Sequence, residues 1–257
     1  MNRTKMDFKK LMGNNLNNSP IWTMLEDNFN KYYIENQNTI NIPKKIHQIW
    51  LGGKIPDKYN RLINTWKEKN PDWEYKLWTD DDIEYFKLEN IESFNKIKNL
   101  GAKTDIFRYE ILYREGGLYI DTDFECLKSF NDLIYLDLFS GTGHVDIPEV
   151  FNGLIACKPG HQLMRTLIDD IKIIDTNNFD EIISLTGPKY FSNKLFEWIK
   201  NNSNDKVVIF PTTFFYPFPA KYRHMIRIDN DDSRKLVQIY NSEKSYCTHL
   251  WYTSWQK

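Results

Sequence analysis

The stretch from Ala102 to Asp123 constrains the fold of this chain more than any other. Residues 102–115 carry the spacing of a strong helix, and Gly116-Gly117 closes it, because glycine accepts the left-handed backbone that ends helices. Leu118–Ile120 is a short apolar strand, and Asp121-Thr122-Asp123 begins where it stops. A helix feeding a strand with carboxylates at its carboxyl end belongs to α/β domains, whose ligands gather at that end of a mostly parallel sheet.

The flanks repeat the alternation. Ile46, Gln48 and Trp50 form a strand-like run ended by Gly52-Gly53. Tyr59, Leu62, Ile63 and Trp66 fall at i, i+3, i+4 and i+7, one face of an amphipathic helix that Asn70-Pro71-Asp72 stops. Trp73, Tyr75 and Leu77 alternate as a strand, and Asp80-Asp81-Asp82 can cap the next helix. Beyond Asp123, Phe139–Glu149 reads as a Gly- and Asp-rich loop, Asn152–Cys157 as a strand, Leu163–Ile174 as a helix and Val207–Phe210 as a strand before the aromatic run Phe214–Phe218. Near the start, residues 13–18 read as a loop, and Ser19-Pro20 as the N-cap and first-turn proline of a helix to about Ile34. The division expected is an N-terminal helical extension over 1–40 and one α/β domain over 41–257, a length that buries a sizeable core.

Composition removes several classes. Lys and Arg total 34 against 35 Asp and Glu, a net charge of −1 that gives no case for nucleic-acid binding. Cys126, Cys157 and Cys247 are odd in number and lack CxxC spacing, which argues against a disulfide framework or structural zinc and suits a reducing compartment. No apolar run suffices for a spanning helix, and the N-terminus lacks the apolar core of a signal peptide. A cytoplasmic location is therefore expected. Arg3, Lys5, Lys9 and Lys10 leave a peripheral contact with the inner membrane face open, although a solvated end is the simpler account.

Four constellations bear chemistry. Asp121 and Asp123 can approach one hard cation, Mg2+ or Mn2+, if a tight loop turns them together. Spacing alone says little, since Asp80/Asp82 and Asp229/Asp231 share it; only the Asp121 copy follows an apolar strand. Asp105 and Arg108 share a helix face at i and i+3, where an ordinary ion pair is the simpler account and contact with donor phosphate or sugar hydroxyls the functional one. Trp50, beside flexible Gly52-Gly53, is equally a base-stacking platform or a core residue. Last comes His249-Leu250-Trp251-Tyr252-Thr253-Ser254-Trp255, where His249 can complete a metal shell and Ser254 and Trp255 can donate to phosphate, or where the tryptophans merely tie down a terminal strand.

Together, Ile42–Gly52, Ala102–Tyr109, Leu112–Asp123, Thr186-Gly187-Pro188 and His249 with Ser254-Trp255 resemble glycosyltransferase family 32, the Asp-x-Asp sugar transferases. The resemblance implies a GT-A-type fold, a nucleotide diphosphate sugar as donor, and retention of configuration at the anomeric carbon. It implies Trp50 on the base, Gly52 and Tyr119 near the nucleotide, Asp105 and Arg108 on donor sugar and ribose, and Asp121, Asp123 and His249 on the metal, with Asp123 the direct ligand. Asp105, Arg108 and Asp123 are then the catalytic candidates, and Ser254 and Trp255 close over the diphosphate. Thr104 replaces the usual serine, and Leu250 a frequent second histidine. A UDP-linked hexose or N-acetylhexosamine is the favoured donor, and a saccharide or glycolipid in polysaccharide biosynthesis the favoured acceptor. Asp146, Glu149, Asn152 and His144 are acceptor-side candidates. A glycoside hydrolase, with two opposed carboxylates, a toxin-like transferase acting on protein, and a non-catalytic nucleotide-sugar binder are the competing readings.

Overall fold

A computed structural model describes residues 6–13, 16–34, 37, 39–172 and 178–252. The main sheet holds β1 (Lys45–Ile49), β2 (Glu74–Trp78), β3 (Gly117–Ile120), β5 (Leu138–Thr142), β6 (Val150–Cys157) and β7 (Val207–Phe210), in the order β2-β1-β3-β6-β5-β7. The β1–β2, β1–β3 and β5–β7 pairings are parallel, while β6 runs antiparallel to both β3 and β5. Central β6 is buried along nearly its whole length, and Asn152 and Gly153 interrupt its otherwise apolar sequence. A second ribbon pairs β4 (Phe124–Cys126) antiparallel with β8 (Cys247–His249).

Helices surround this frame. In chain order they are α1 (Phe8–Met12), α2 (Pro20–Tyr32), α3 (Asn60–Lys69), α4 (Asp80–Phe86), α5 (Ile91–Lys96), α6 (Leu100–Glu115), α7 (Gln162–Asp169), α8 (Phe179–Leu185), α9 (Pro188–Asn201), α10 (Thr212–Phe215) and α11 (Asp231–Tyr240). None of the described helices is long and apolar enough to cross a membrane. The Ser19 hydroxyl caps α2 by accepting from the Ile21 amide, as Ser19-Pro20 predicts. Phe8, Met12, Trp22, Leu25 and Phe29 enter the same core as the sheet, with Phe29 packed edge-on against Phe210 and Phe214. The N-terminal helices are thus held by core packing and not by a linker contact.

α6 is the spine of the site. Asn99 caps it by accepting from the Ala102 amide, and it is buried on almost every side from Ala102 to Leu112. It ends at Gly116 (φ 62°) and Gly117 (φ 95°). A Cβ on Gly117 would lie 2.6 Å from the Lys45 carbonyl, so glycine there is what lets β3 enter beside β1.

Three local expectations change. Leu138–Thr142 is a strand and not the start of a loop: Gly141 lies in it because a Cβ there would meet the Phe215 ring at 2.8 Å. The cap of α4 is Thr79, in a reciprocal capping box with Asp82. Asp80 instead accepts from the Gly52 and Gly53 amides, at 2.9 and 3.3 Å. The helix expected to Ile174 ends at Asp169, and 173–177 lie outside the described residues.

Candidate active site

The end of β3 and the β4–β8 ribbon bring three ligating side chains together. Asp121, Asp123 and His249 each offer an atom within 4.8 Å of the others. Asp123 opens the turn into β4, and β8 carries His249 opposite Phe124. His249 Nε2 lies 2.9 Å from Asp123 Oδ1, and the Tyr252 amide donates to Asp123 Oδ2 at 2.8 Å. The Leu250 amide donates to the Asp123 carbonyl at 3.0 Å, locking the backbone of the two segments. Burial works against the Asp123 carboxylate, but the adjacent His249 and the Tyr252 N–H outweigh it and hold its pKa below the usual value. The His249 ring stacks on Phe124 at 4.3 Å and meets Trp251 at 4.0 Å, and its buried Nδ1 has no partner. Two carboxylates and an imidazole suit a divalent cation, so the residues present fit the ion the resemblance implies.

Asp121 is the more open carboxylate, with its side chain 32% exposed. Its Oδ1 accepts from the Tyr119 hydroxyl at 2.6 Å and faces Arg108 Nη2 at 3.4 Å. Gly153 of β6 makes room for it: a Cβ there would stand 2.6 Å from Asp121 Oδ2. Gln48 of β1 donates to the Asp121 carbonyl at 3.2 Å, and the Asp121 amide donates to the Gly153 carbonyl at 2.8 Å. The loop bearing the carboxylates is therefore held from both neighbouring strands.

Behind it lies a buried polar network. Arg108 pairs with Asp105 at 3.1 Å and donates to the Asn152 carbonyl at 2.5 Å, with its Nε toward the Thr104 carbonyl. Its guanidinium lies 4.4 Å over the Tyr119 ring. Asp105 also accepts from Asn152 at 2.8 Å and from Thr186 at 3.1 Å. Burial pushes Asp105 up to about 6 against the downward pull of Arg108. Burial opposes the Arg108 charge too, but Tyr119, Asp121 and Asp105 around it hold it more firmly protonated than usual. Each nitrogen of Arg108 already has a protein partner, so it acts here as a strut behind Asp121 more than as an open donor.

The remaining predicted residues fall around this centre. Trp50 is half-buried with its ring 4.8 Å from Tyr59, at the end of β1. Gly52 (φ 83°) holds the next turn open, with its amide engaged by Asp80. Ser254 and Trp255 lie outside the described residues. Asp229 pairs with Arg61 and Arg234, so that Asp-x-Asp spacing is a surface ion-pair site. Asn152 belongs to the buried network and not to a loop facing the acceptor, and His144 meets the Pro217 carbonyl at 2.9 Å. Gly153, Gln48 and the Tyr216 ring beside His249 escaped the sequence reading. A glycine inside an apolar strand was the available signal for the first, since it marks close approach.

Residues 56–139 match the family described as a glycosyltransferase sugar-binding region containing the DXD motif. An uncharacterised glycosyltransferase of Acanthamoeba polyphaga mimivirus is 28% identical over 225 residues, 83% of this chain and 84% of that protein. Inositol phosphoceramide mannosyltransferase 1 of Schizosaccharomyces pombe is 25% identical over 217 residues, 79% of this chain and 67% of that protein. Among solved structures, PaToxG glycosyltransferase shares the fold at a TM-score of 0.54 and 22% identity, over 64% of this chain and 73% of that one. The matched region holds Asp105, Arg108, Asp121 and Asp123, whereas His249 joins them from outside it.

Proposed function

We propose that this chain, a glycosyltransferase of the DXD-motif family, moves a hexose from a nucleotide diphosphate sugar to a saccharide or glycolipid hydroxyl with retention of configuration. The observation that carries the reading is the convergence of Asp121, Asp123 and His249 at the carboxyl end of β3. A divalent ion held there, with the imidazole favouring Mn2+ over the harder Mg2+, supplies charge stabilisation to the departing diphosphate. The chain's own residues do the rest. Tyr119 and Arg108 fix the direction of the Asp121 carboxylate, and the Tyr252 amide fixes that of Asp123. Trp50 offers a half-buried ring face at the end of β1 for the base. Asp105 is tied to Arg108, Asn152 and Thr186 and stands as a rigid acceptor wall, not as a nucleophile. Substitution on the face from which the diphosphate leaves fits that arrangement, with the leaving oxygen taking the acceptor proton.

The composition favours a UDP-sugar, while the mannosyltransferase relative favours mannose and a lipid-linked acceptor. A thermal-shift series with UDP-glucose, UDP-N-acetylglucosamine and GDP-mannose, each with Mn2+ or EDTA, decides between them. A donor about 100-fold above its Kd stabilises the folded state by about 2.7 kcal/mol, roughly 5–10 °C in Tm for a chain of this size. The shift is expected with one nucleotide class and only with metal. Equal shifts in EDTA would overturn the metal reading, and no shift with any donor would overturn the donor reading.

Gly153→Ala tests the same centre from behind. The added methyl pushes on Asp121 Oδ2, and Mn2+ affinity is expected to drop about 10–100-fold, as for other residues that orient metal ligands. Titration calorimetry with Mn2+ reads it, and wild-type affinity would show that Asp121 needs no such room.

A further inference from the structure

The segment Pro219–Ile228 contains Lys221, Arg223, His224 and Arg227 and no acidic residue. Ala220–Ile226 is a 3-10 helix, and Arg227 keeps helical dihedrals after it. With three residues per turn, side chains at i and i+3 eclipse. One row is therefore Tyr222, Met225 and Ile228, and the next is Lys221, His224 and Arg227. Ile226 turns inward into the buried cluster that includes Tyr59, Leu62 and Leu250, whereas Met225 is 53% and Ile228 72% exposed. Adjacent α11 adds Ile239, 77% exposed, four residues after exposed Lys235. Among the described residues, Lys221, Arg223 and Arg227 form no ion pair; Lys221 lies 4.9 Å over the Tyr222 ring, Asp229, the next acid in the sequence, pairs with Arg61 and Arg234, and exposed Asp231 and Asp232 follow at the start of α11.

We propose that this face is a membrane-surface dock for anionic lipid, with Met225 and Ile228 entering the headgroup layer and Lys221 and Arg227 meeting lipid phosphates. An apolar ridge flanked by an unpaired basic ridge is the chemistry of interfacial segments, which combine shallow apolar burial with attraction to negative lipid. A protein partner of the same shape would have to match an exposed row of isoleucine and methionine with acids on one side only; a bilayer does so without further design. The face borders the site. The Phe218 carbonyl just before it accepts from Trp251, Asp229 just after it pairs with Arg61, and Arg61 pairs with Glu125, two residues beyond Asp123. Docking there would set the segment next to the site against the lipid surface. The dock involves neither donor nor metal, so its test stands whether or not the transferase reading does.

The probe is co-sedimentation of the full chain with vesicles of phosphatidylcholine alone and of phosphatidylcholine with phosphatidylserine. Binding is expected only with phosphatidylserine and is expected to weaken as salt rises. Removing one cation, as in Arg227→Gln, is expected to weaken partition about fivefold. Met225→Ser with Ile228→Ser is expected to weaken it roughly tenfold or more, with circular dichroism unchanged because both side chains are exposed. Lys9→Gln with Lys10→Gln, at the other basic stretch, is expected to leave binding intact. Equal binding to both vesicle types overturns the proposal. So does wild-type partition of the Met225/Ile228 variant, loss of binding only in the Lys9/Lys10 variant, or an effect of the Met225/Ile228 change confined to self-association on size exclusion.

Discussion

Asp123→Asn is expected to keep the far-UV circular dichroism of the parent and to lose about 10²–10³-fold in transfer rate, the usual consequence of removing a group that stabilises developing charge. The amide retains an oxygen to accept from the Tyr252 N–H, so the link between the two segments survives. What disappears is the negative charge beside His249 and one of the three proposed metal ligands. Asn is a cleaner choice than Ala, which would leave the buried Tyr252 amide and His249 without partners, at about 1–3 kcal/mol each. Turnover is measured against Mn2+ concentration. Parental turnover with parental Mn2+ dependence would falsify the assignment of Asp123 to the ion.

The second large effect is structural. Arg108→Leu should cost about 3–5 kcal/mol of stability, because it strips the partner from the buried Asp105 carboxylate. Asp105 already sits at about 6 through burial, with Arg108 pulling it down, so the variant carries it higher. A carboxyl whose folded pKa lies above its unfolded value binds more protons in the folded state. Its penalty is absent at low pH and grows as pH rises from the unfolded value through the folded one. The urea midpoint of Arg108→Leu is therefore expected to decline more steeply than the parent's between about pH 4 and pH 7. Adding Asp105→Asn should flatten that decline. A parallel shift of both proteins at every pH would show that Asp105 is not the group left exposed to the interior.

Much of this centre was legible because it is local in sequence. α6, Gly116, Gly117, β3 and the Asp-Thr-Asp turn follow one another without interruption, and each element's chemistry dictates the next. Position relative to a strand separated Asp121/Asp123 from the copies at Asp80/Asp82 and Asp229/Asp231, which prove to be a clamp on Gly52-Gly53 with a capping box, and a surface ion-pair site. The support from other strands was not legible. Gln48 reaches Asp121 from the neighbouring strand and Asn152 reaches Asp105 on α6 from the sheet, over sequence separations of 73 and 47 residues, and nothing in their neighbours announces the contact. Gly141 misled because glycine marks loops and close packing alike, and only the Phe215 ring over β5 tells the two apart.

The ribbon of β4 and β8 has a consequence for the order in which the chain becomes competent. His249 and Asp123 are 126 residues apart, so their meeting belongs to the slow, long-range class of contacts, made after local helices and hairpins have formed. α6, β3 and the acidic turn are contiguous in sequence, whereas the imidazole reaches them only through the β4–β8 pairing. Capture of the proposed ion would then act as a late latch, and its occupancy would report that β8 has closed on the Asp121–Asp123 turn.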